Sequence, residues 1–536
     1  MNPSGHVDTF ARDNLPPPEL WPEFLFELPE LQFAPRLNCA AELLDRALER
    51  GWGDRVCVLG HGVRWTYAEL LGQANRIARV LVDDMGLVAG NRVLLRGANS
   101  PMLAACWFGV VKAGGIAVGT MPLLRTRELT TIIDKARITH ALCDARLAQE
   151  LQLAQPQCET LRQVALYHDD SATGLEARAA AKRAQFDAVD TAVDDVCLIA
   201  FTSGTTGQPK GTMHFHRDVM AACACWPPHV LRARPDDRFI GSPPLAFTFG
   251  LGGMLLFPLA IGASTVLLEK ATPDVLLDAI AQWRASVCFT APTSYRAMAS
   301  QAASHDLSSL RKCVSAGEAL PAVTRTLWRE TTGIEMIDGI GSTELLHIFI
   351  SATESQARGG ATGVPVPGYR ATLLDDQGRE VPRGEVGRLA VKGPTGCRYL
   401  ADERQTTYVQ HGWNLTGDAY RIGEDGQFEY QARTDDMIIS GGYNIAGPEV
   451  ESALLLHPAV AECAVIGAAD EQRGQIVKAF VVVRAGHTAD EALVKTLQDF
   501  VKQTIAPYKY PRAIEFRSEL PRTETGKLQR FRLRRP

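Results

Sequence analysis

The stretch TSGTTGQPKG, residues 202–211, decides how this chain is read. Six uninterrupted apolar residues, VCLIAF at 196–201, precede it, and the acidic pair Asp194 and Asp195 bounds them on the far side. A run of that length suits a strand buried on both faces, so the decapeptide is expected to leave the end of a core strand. Gly204, Gly207 and Gly211 free its backbone, while the hydroxyls of Thr202, Ser203, Thr205 and Thr206 and the amides between them crowd donors into one turn. Such a turn is a cradle for phosphate oxygens. Lys210 adds a mobile cation behind Pro209, which stiffens the exit. From Gly204 the order is G-T-T-G-Q-P-K-G rather than G-x-x-x-x-G-K-[ST], which excludes a Walker loop. Loop composition alone would also suit a plain surface turn.

Working outward, 536 residues exceed what one hydrophobic core usually supports, so two or more domains are expected. With 46% hydrophobic and 22% charged residues the composition is globular. A formal net charge of -5 gives no basic field for a nucleic acid or an anionic membrane, and the basic end RFRLRRP reads as a solvated tail. The opening residues lack a secretory pattern, and the apolar runs near 102–111 and 254–261 are too short or too broken to span a bilayer. A cytoplasmic protein is expected. Twelve scattered cysteines suit reduced, buried thiols. His214, His216, Cys223, Cys225 and His229 can be drawn as a zinc site, but H-x-H and C-x-C are poor structural-zinc spacings. A helix following the loop, with these groups pointing in different directions, is the preferred reading.

The first forty residues read as an extended arm over the surface. A helix is expected from Thr66, whose spacing to Glu69 is that of a capping box, until Gly86. A strand at 91–97, an apolar helix from Met102, a helix from Thr272-Pro273 to about Ala285, and strands at 286–292, 311–315 and 335–340 continue an alternation typical of layered α/β domains with mostly parallel sheets. From about Gly363 short strands and turns indicate a β-rich subdomain. ARTDDMIISGGYNIAGPEVE, 432–451, is the boundary candidate, and beyond it a small α+β domain of about 100 residues is expected. The expected domains are therefore 1–434 and 435–536.

The run [ST]-S-G-[ST]-T-G-x-P-K-G at 202–211 resembles the signature loop of the adenylate-forming superfamily, which contains acyl- and aryl-CoA synthetases. Five further segments match that superfamily in order: SAGEALP at 315–321, DGIGSTE at 338–344, NLTGDAY at 414–420, the boundary segment, and LPRTETGKLQR at 520–530. The resemblance implies the two-domain fold of these enzymes, with a mobile C-terminal domain. It also implies that Ala316, Gly317 and Glu318, with Asp338, Gly339, Ile340, Gly341 and Ser342, line the adenine side of an ATP site. Ile340 stands where the family more often has an aromatic residue. Thr343 and Glu344 are matched to phosphate and Mg2+, for which a hydroxyl and a carboxylate are suitable hard oxygen donors. Asp418 and Arg433 are matched to the ribose, Asp435 to the hinge, and Gly441, Gly442 and Tyr443 to a tunnel for coenzyme A. Lys527 matches the adenylation lysine, a cation between two anions that otherwise repel at attack distance.

Substrate choice is assigned to GSPPLAFTFGLGG, 241–253, and to the residues after Glu344. Phe247, Thr248, Phe249 and Gly250 make that pocket apolar and aromatic with a single hydroxyl, and Gly341 and His347 are its further candidates. Were 246–250 a strand, Phe247 and Phe249 would not both face the pocket. Were 344–351 helical, His347 would lie one turn from Glu344. These segments resemble benzoate-type ligases, most closely those for 2-aminobenzoate. The implied activity is ATP-dependent aryl-CoA ligation through an acyl-AMP. A ligase for another aryl or fatty acid, and a non-catalytic nucleotide-binding module, are the alternatives. Assembly as a homodimer is left open.

Overall fold

The computed structural model describes residues 2–60, 62–202, 209–440, 443–470, 473–505, 507–522 and 528–534. The apolar run before the signature loop forms the strand Val196–Thr202, buried along its length until Thr202. It belongs to a six-stranded sheet in which Gln163–Tyr167, His140–Asp144, Arg92–Arg96, Ile116–Thr120 and Val196–Thr202 run parallel, and Lys210–Phe215 closes the edge antiparallel. A strand therefore comes directly after the loop, and the expected helix, His216–Trp226, begins only behind it. Register pairs Thr202 with Lys210, so the strands on either side of 203–208 are antiparallel neighbours.

A nine-stranded sheet stands beside it. Its centre is parallel, from Met336–Gly341 through Lys312–Ala316, Val287–Thr290, Arg238–Gly241 and Ser264–Val266 to Val56–Gly60, with antiparallel strands at both edges. Helices cover these sheets, as continuous apolar strands require. Pro101–Lys112 is buried on nearly every face, and Tyr67–Arg79 packs along it. The latter opens with the expected capping box: Thr66 Oγ1 accepts the Glu69 N–H at 3.2 Å, and the Glu69 carboxylate accepts the Thr66 N–H at 2.7 Å. Thr272 sits at the N-cap of Pro273–Trp283 without a side-chain cap bond, and this helix stops at Arg284, left-handed at φ 49°.

The region after Gly363 is an antiparallel five-stranded sheet of Arg370–Leu374, Val386–Lys392, Val409–Gln410, Trp413–Ile422 and Phe428–Arg433. A second five-stranded sheet, built on the Val460–Asp470 and Gly474–Val483 pair, forms the small C-terminal domain with Gly447–Leu455 and Glu491–Thr504. The N-terminal arm is pinned at several points. Asp195, expected only to bound a strand, accepts from Ser4 and Gly5, and Leu25 N–H reaches the Gly393 carbonyl at 3.0 Å. All twelve cysteines are free, and all but Cys463 are buried.

Candidate active site

Parallel strands present their carboxyl ends to ligands, and in this chain the motif residues gather at those ends. Lys210 opens the edge strand of the smaller sheet, and its Nζ donates to the Tyr399 hydroxyl at 3.0 Å. Tyr399 donates in turn to Glu344 Oε1, which lies 3.8 Å from the lysine. Lysine, tyrosine and glutamate thus form one chain across two sheets. Burial and the facing carboxylate push the Tyr399 hydroxyl far above its ordinary value, so it remains a donor. Tyr408 extends the group: its hydroxyl is 3.2 Å from Ser342 Oγ, and its ring lies 5.8 Å from that of Tyr399.

Ala316 ends the strand Lys312–Ala316 beside Gly339, and Gly317 and Glu318 make the turn that follows. Asp338 lies on the adjacent strand with Gly339, Ile340 and Gly341. Burial pushes its carboxyl up to about 7, against the field of Arg325. Asp418 and Arg433 are register partners on neighbouring antiparallel strands, with Arg433 Nη1 3.0 Å from Asp418 Oδ1 and 2.9 Å from the Thr416 carbonyl. Burial holds the Asp418 carboxyl above its usual range in spite of Arg433, and Glu344 adds to the shift, so the two acids share one environment. Gly417, next to Asp418, takes φ 77°, a left-handed conformation that favours glycine.

The segment 342–347 is a turn rather than a helix, and Leu346 takes φ 70°. A left-handed leucine costs about 1–2 kcal/mol, and neighbouring groups hold it in place. His214 Nε2 donates to the Thr343 carbonyl at 2.8 Å, Thr395 Oγ1 donates to the Leu345 carbonyl at 2.8 Å, and Ser342 Oγ accepts the Leu345 N–H at 3.2 Å. None of these fasteners except Ser342 was legible in the motifs.

The substrate candidates divide. The segment 246–250 is a turn leading into the short helix Thr248–Leu251, so the strand argument about Phe247 and Phe249 lapses. Phe247 and Thr248 line a largely apolar cavity with Leu95, Trp107, Leu198 and Ala200. Phe249 and His347 pack on each other instead, ring centroids 5.6 Å apart, among Trp226, Phe257 and Phe289. Gly250 lies against the Pro244 carbonyl, where a Cβ would come within 2.0 Å. Burial lowers His347 to about 3, which keeps it neutral. Its Nε2 faces the Phe249 carbonyl at 3.4 Å, and its buried Nδ1 meets no partner among the described residues.

The five residues of the zinc drawing do not converge. His214 turns to Thr343, while His216 meets Cys39, whose N–H its Nδ1 accepts at 3.1 Å. Cys39, Cys197 and His216 do lie within 4.8 Å of one another, with that nitrogen already engaged.

Ser203, Gly204, Thr205, Thr206, Gly207, Gly441, Gly442 and Lys527 lie outside the described residues, as do the side chains of Asp435 and Tyr443. Arg522 and Leu528, on either side of 523–527, form an antiparallel bridge. Arg522 Nη1 reaches Glu318 Oε1 at 3.4 Å, which joins the small domain to the turn after Ala316.

An antiparallel strand pair around the phosphate-type sequence at a sheet edge, a buried acid chained to its lysine, an Asp–Arg pair on the β-rich sheet and a small appended domain together define an adenylate-forming enzyme. The chain belongs to the AMP-binding enzyme family: residues 44–399 match the family's main model, "AMP-binding enzyme", and 449–527 match "AMP-binding enzyme C-terminal domain". It is thereby an AMP-forming acyl-CoA synthetase, a class that uses ATP and coenzyme A. It is 35% identical to the benzoate-CoA ligase of Thauera aromatica, over 94% of this chain and 97% of that protein. Among solved structures it is similar to the anthranilate CoA ligase AuaEII in complex with anthranoyl-AMP, at TM-score 0.90 and 35% identity, covering 94% of this chain and 98% of that one. A benzoate CoA ligase from Burkholderia xenovorans matches at TM-score 0.85 and 31% identity, covering 93% and 100%. Among the described residues no helix is long and apolar enough to cross a membrane.

Proposed function

We propose that the chain is an aryl-CoA ligase that activates 2-aminobenzoate, with benzoate as the nearest alternative. A carboxylate oxygen of the acid attacks the α-phosphorus of ATP and pyrophosphate leaves. The thiol of coenzyme A then attacks the acyl carbon and AMP departs. The observation that carries this reading is the Lys210–Tyr399–Glu344 chain beside the Asp418–Arg433 pair, which supplies a cation and hard oxygen donors where a nucleotide would lie. Likeness to a ligase solved with anthranoyl-AMP supports the choice of acid.

In this reading Lys210 and the loop 202–207 hold phosphates, and Asp418 takes the ribose hydroxyls while Arg433 orients it. Lys527 spans the α-phosphate and the acid, offsetting the repulsion of two anions at attack distance. The buried Glu344 carboxylate, with one oxygen already fixed by Tyr399, and the Thr343 hydroxyl are donors that fit a Mg2+ ion. Bound there, the ion would neutralise phosphate charge. Domain 435–536 turns about Asp435 against domain 1–434, exchanging Lys527 for Gly441, Gly442 and Tyr443 as the thiol approaches.

Thr248, the hydroxyl-bearing residue among those that line the apolar cavity, favours an acid with an ortho donor. Pyrophosphate exchange with 2-aminobenzoate, benzoate, salicylate and octanoate tests the choice. The highest kcat/KM is expected for 2-aminobenzoate, and a preference for octanoate refutes the aromatic reading.

A further inference from the structure

The buried ion pair under the edge strand points back at the catalytic turn. Arg398 and Asp218 are fully enclosed and paired, and the guanidinium lies 3.9 Å from the centroid of the Phe215 ring. Burial alone would raise Asp218, but Arg398 and His214 hold it below its usual range, so the carboxylate is charged. It also accepts the Phe215 N–H at 2.9 Å, which fixes it at the start of His216–Trp226. His214 stands between this pair and the turn. Its Nδ1 is 3.8 Å from Asp218 Oδ2, and its Nε2 donates to the Thr343 carbonyl at 2.8 Å. The segment carrying Arg398 is tied to the same strand, with Met213 N–H on the Arg398 carbonyl at 2.8 Å and Leu400 N–H on the Gly211 carbonyl at 2.8 Å. One rigid unit therefore holds the strand that begins at Lys210, the tyrosine that binds Glu344, and the carbonyl of Thr343. The held turn is the one whose Leu346 is left-handed, and the Leu346 N–H reaches the same Thr343 carbonyl at 3.2 Å from within the turn.

We propose that His214, through the hydrogen bond from its Nε2 to the Thr343 carbonyl, is a positioning residue that aims Thr343 and Glu344 at the metal and phosphates. The inference rests on the assignment of Thr343 and Glu344 made under the proposed function. It requires a donor at the height of Nε2, not an imidazole as such: glutamine places an amide N–H near that height, whereas asparagine is too short to reach the Thr343 carbonyl.

The test is Mn2+ binding to the complex of full-length enzyme with α,β-methylene-ATP, followed by electron paramagnetic resonance. His214→Gln is expected to bind Mn2+ within about threefold of the unaltered enzyme, and His214→Asn about 10–100-fold more weakly, the range seen when an outer partner of a metal ligand is lost. The Mg2+ concentration giving half-maximal pyrophosphate exchange should rise in parallel, with KM for the acid unchanged. Equal constants in both variants overturn the proposal, whether both match the unaltered enzyme or both fall together. Glu344→Gln separates the two levels: unchanged Mn2+ binding there refutes the assignment of Glu344, whereas loss there with normal binding in His214→Asn refutes only the role of His214. If the asparagine variant does not fold, the His214 Nε2–H resonance of the unaltered enzyme decides. It is expected to shift when Mg2+ is added to the nucleotide complex, and a fixed resonance overturns the proposal.

Discussion

The two halves of the site are built differently. On the large-domain side, Asp218 and Arg398 are sealed from solvent and Glu344 is 7% exposed, and each of the three is engaged by another side chain. On the small-domain side, Arg522 is 27% exposed and divides itself between Glu318, at 3.4 Å, and Glu462 of its own domain, at 2.9 Å. A buried pair that loses one partner costs about 3–5 kcal/mol, whereas a pair nearer to solvent costs less. The large-domain side is thus preorganised, and Arg522 reaches it through a longer, less buried pair than the ones inside it. That asymmetry suits two half-reactions that share one nucleotide site and differ in what the small domain presents to it.

The comparison can be broken where the effect should be largest. Lys527→Ala removes the bridging cation, so adenylation, measured by pyrophosphate exchange, should fall about 10²–10³-fold or more. CoA attack on preformed acyl-adenylate should change little, and equal losses in both steps would remove Lys527 from its assigned role. Tyr399→Phe leaves the ring against Lys210 but frees the Glu344 carboxylate. Adenylation should drop about tenfold or more, as for other outer partners of a metal ligand, with KM for the acid steady. An unchanged rate would mean that Glu344 is not held through Tyr399. His347 sharpens the contrast through pH. Its value in the fold, about 3, lies below the ordinary 6.5, so the stability it contributes is present above about pH 6.5 and lost as pH falls toward about 3. His347→Phe should therefore flatten the decline of the denaturation midpoint between pH 7 and pH 4.5, and a parallel decline would contradict its burial as a neutral ring. Arg522→Ala should have the smallest effect, a few-fold at most on adenylation and no measurable shift in Tm. A loss as large as that of Tyr399→Phe would make the interdomain contact part of the fixed machinery.

The sequence exposed the motif residues and hid what joins them. VCLIAF, the Thr66 capping box and the alternation of strands and helices follow local rules of burial and hydrogen bonding, and each appears in the fold where its pattern lies. The segment 246–250 could be read only conditionally because a glycine-rich apolar run has no decisive period; tertiary packing makes it a bend and a short helix, with Phe247 on the cavity and Phe249 packed on other rings. The turn at 342–347 was hidden for a similar reason, since nothing in ELLHIF announces a left-handed leucine. Tyr399 and Arg398 were missed because their partners Lys210, Asp218 and Glu344 lie 189, 180 and 55 positions away, and no spacing rule reaches across separate sheets. His214 was noticed only as a zinc candidate, although its partner is a backbone carbonyl.

The most direct measurement of the central claim follows oxygen. With 2-aminobenzoate labelled by 18O in its carboxylate, attack on the α-phosphorus followed by thiol attack on the acyl carbon should leave one 18O in the phosphate of AMP and none in pyrophosphate. Label recovered in pyrophosphate or inorganic phosphate, or formation of ADP, would contradict the account.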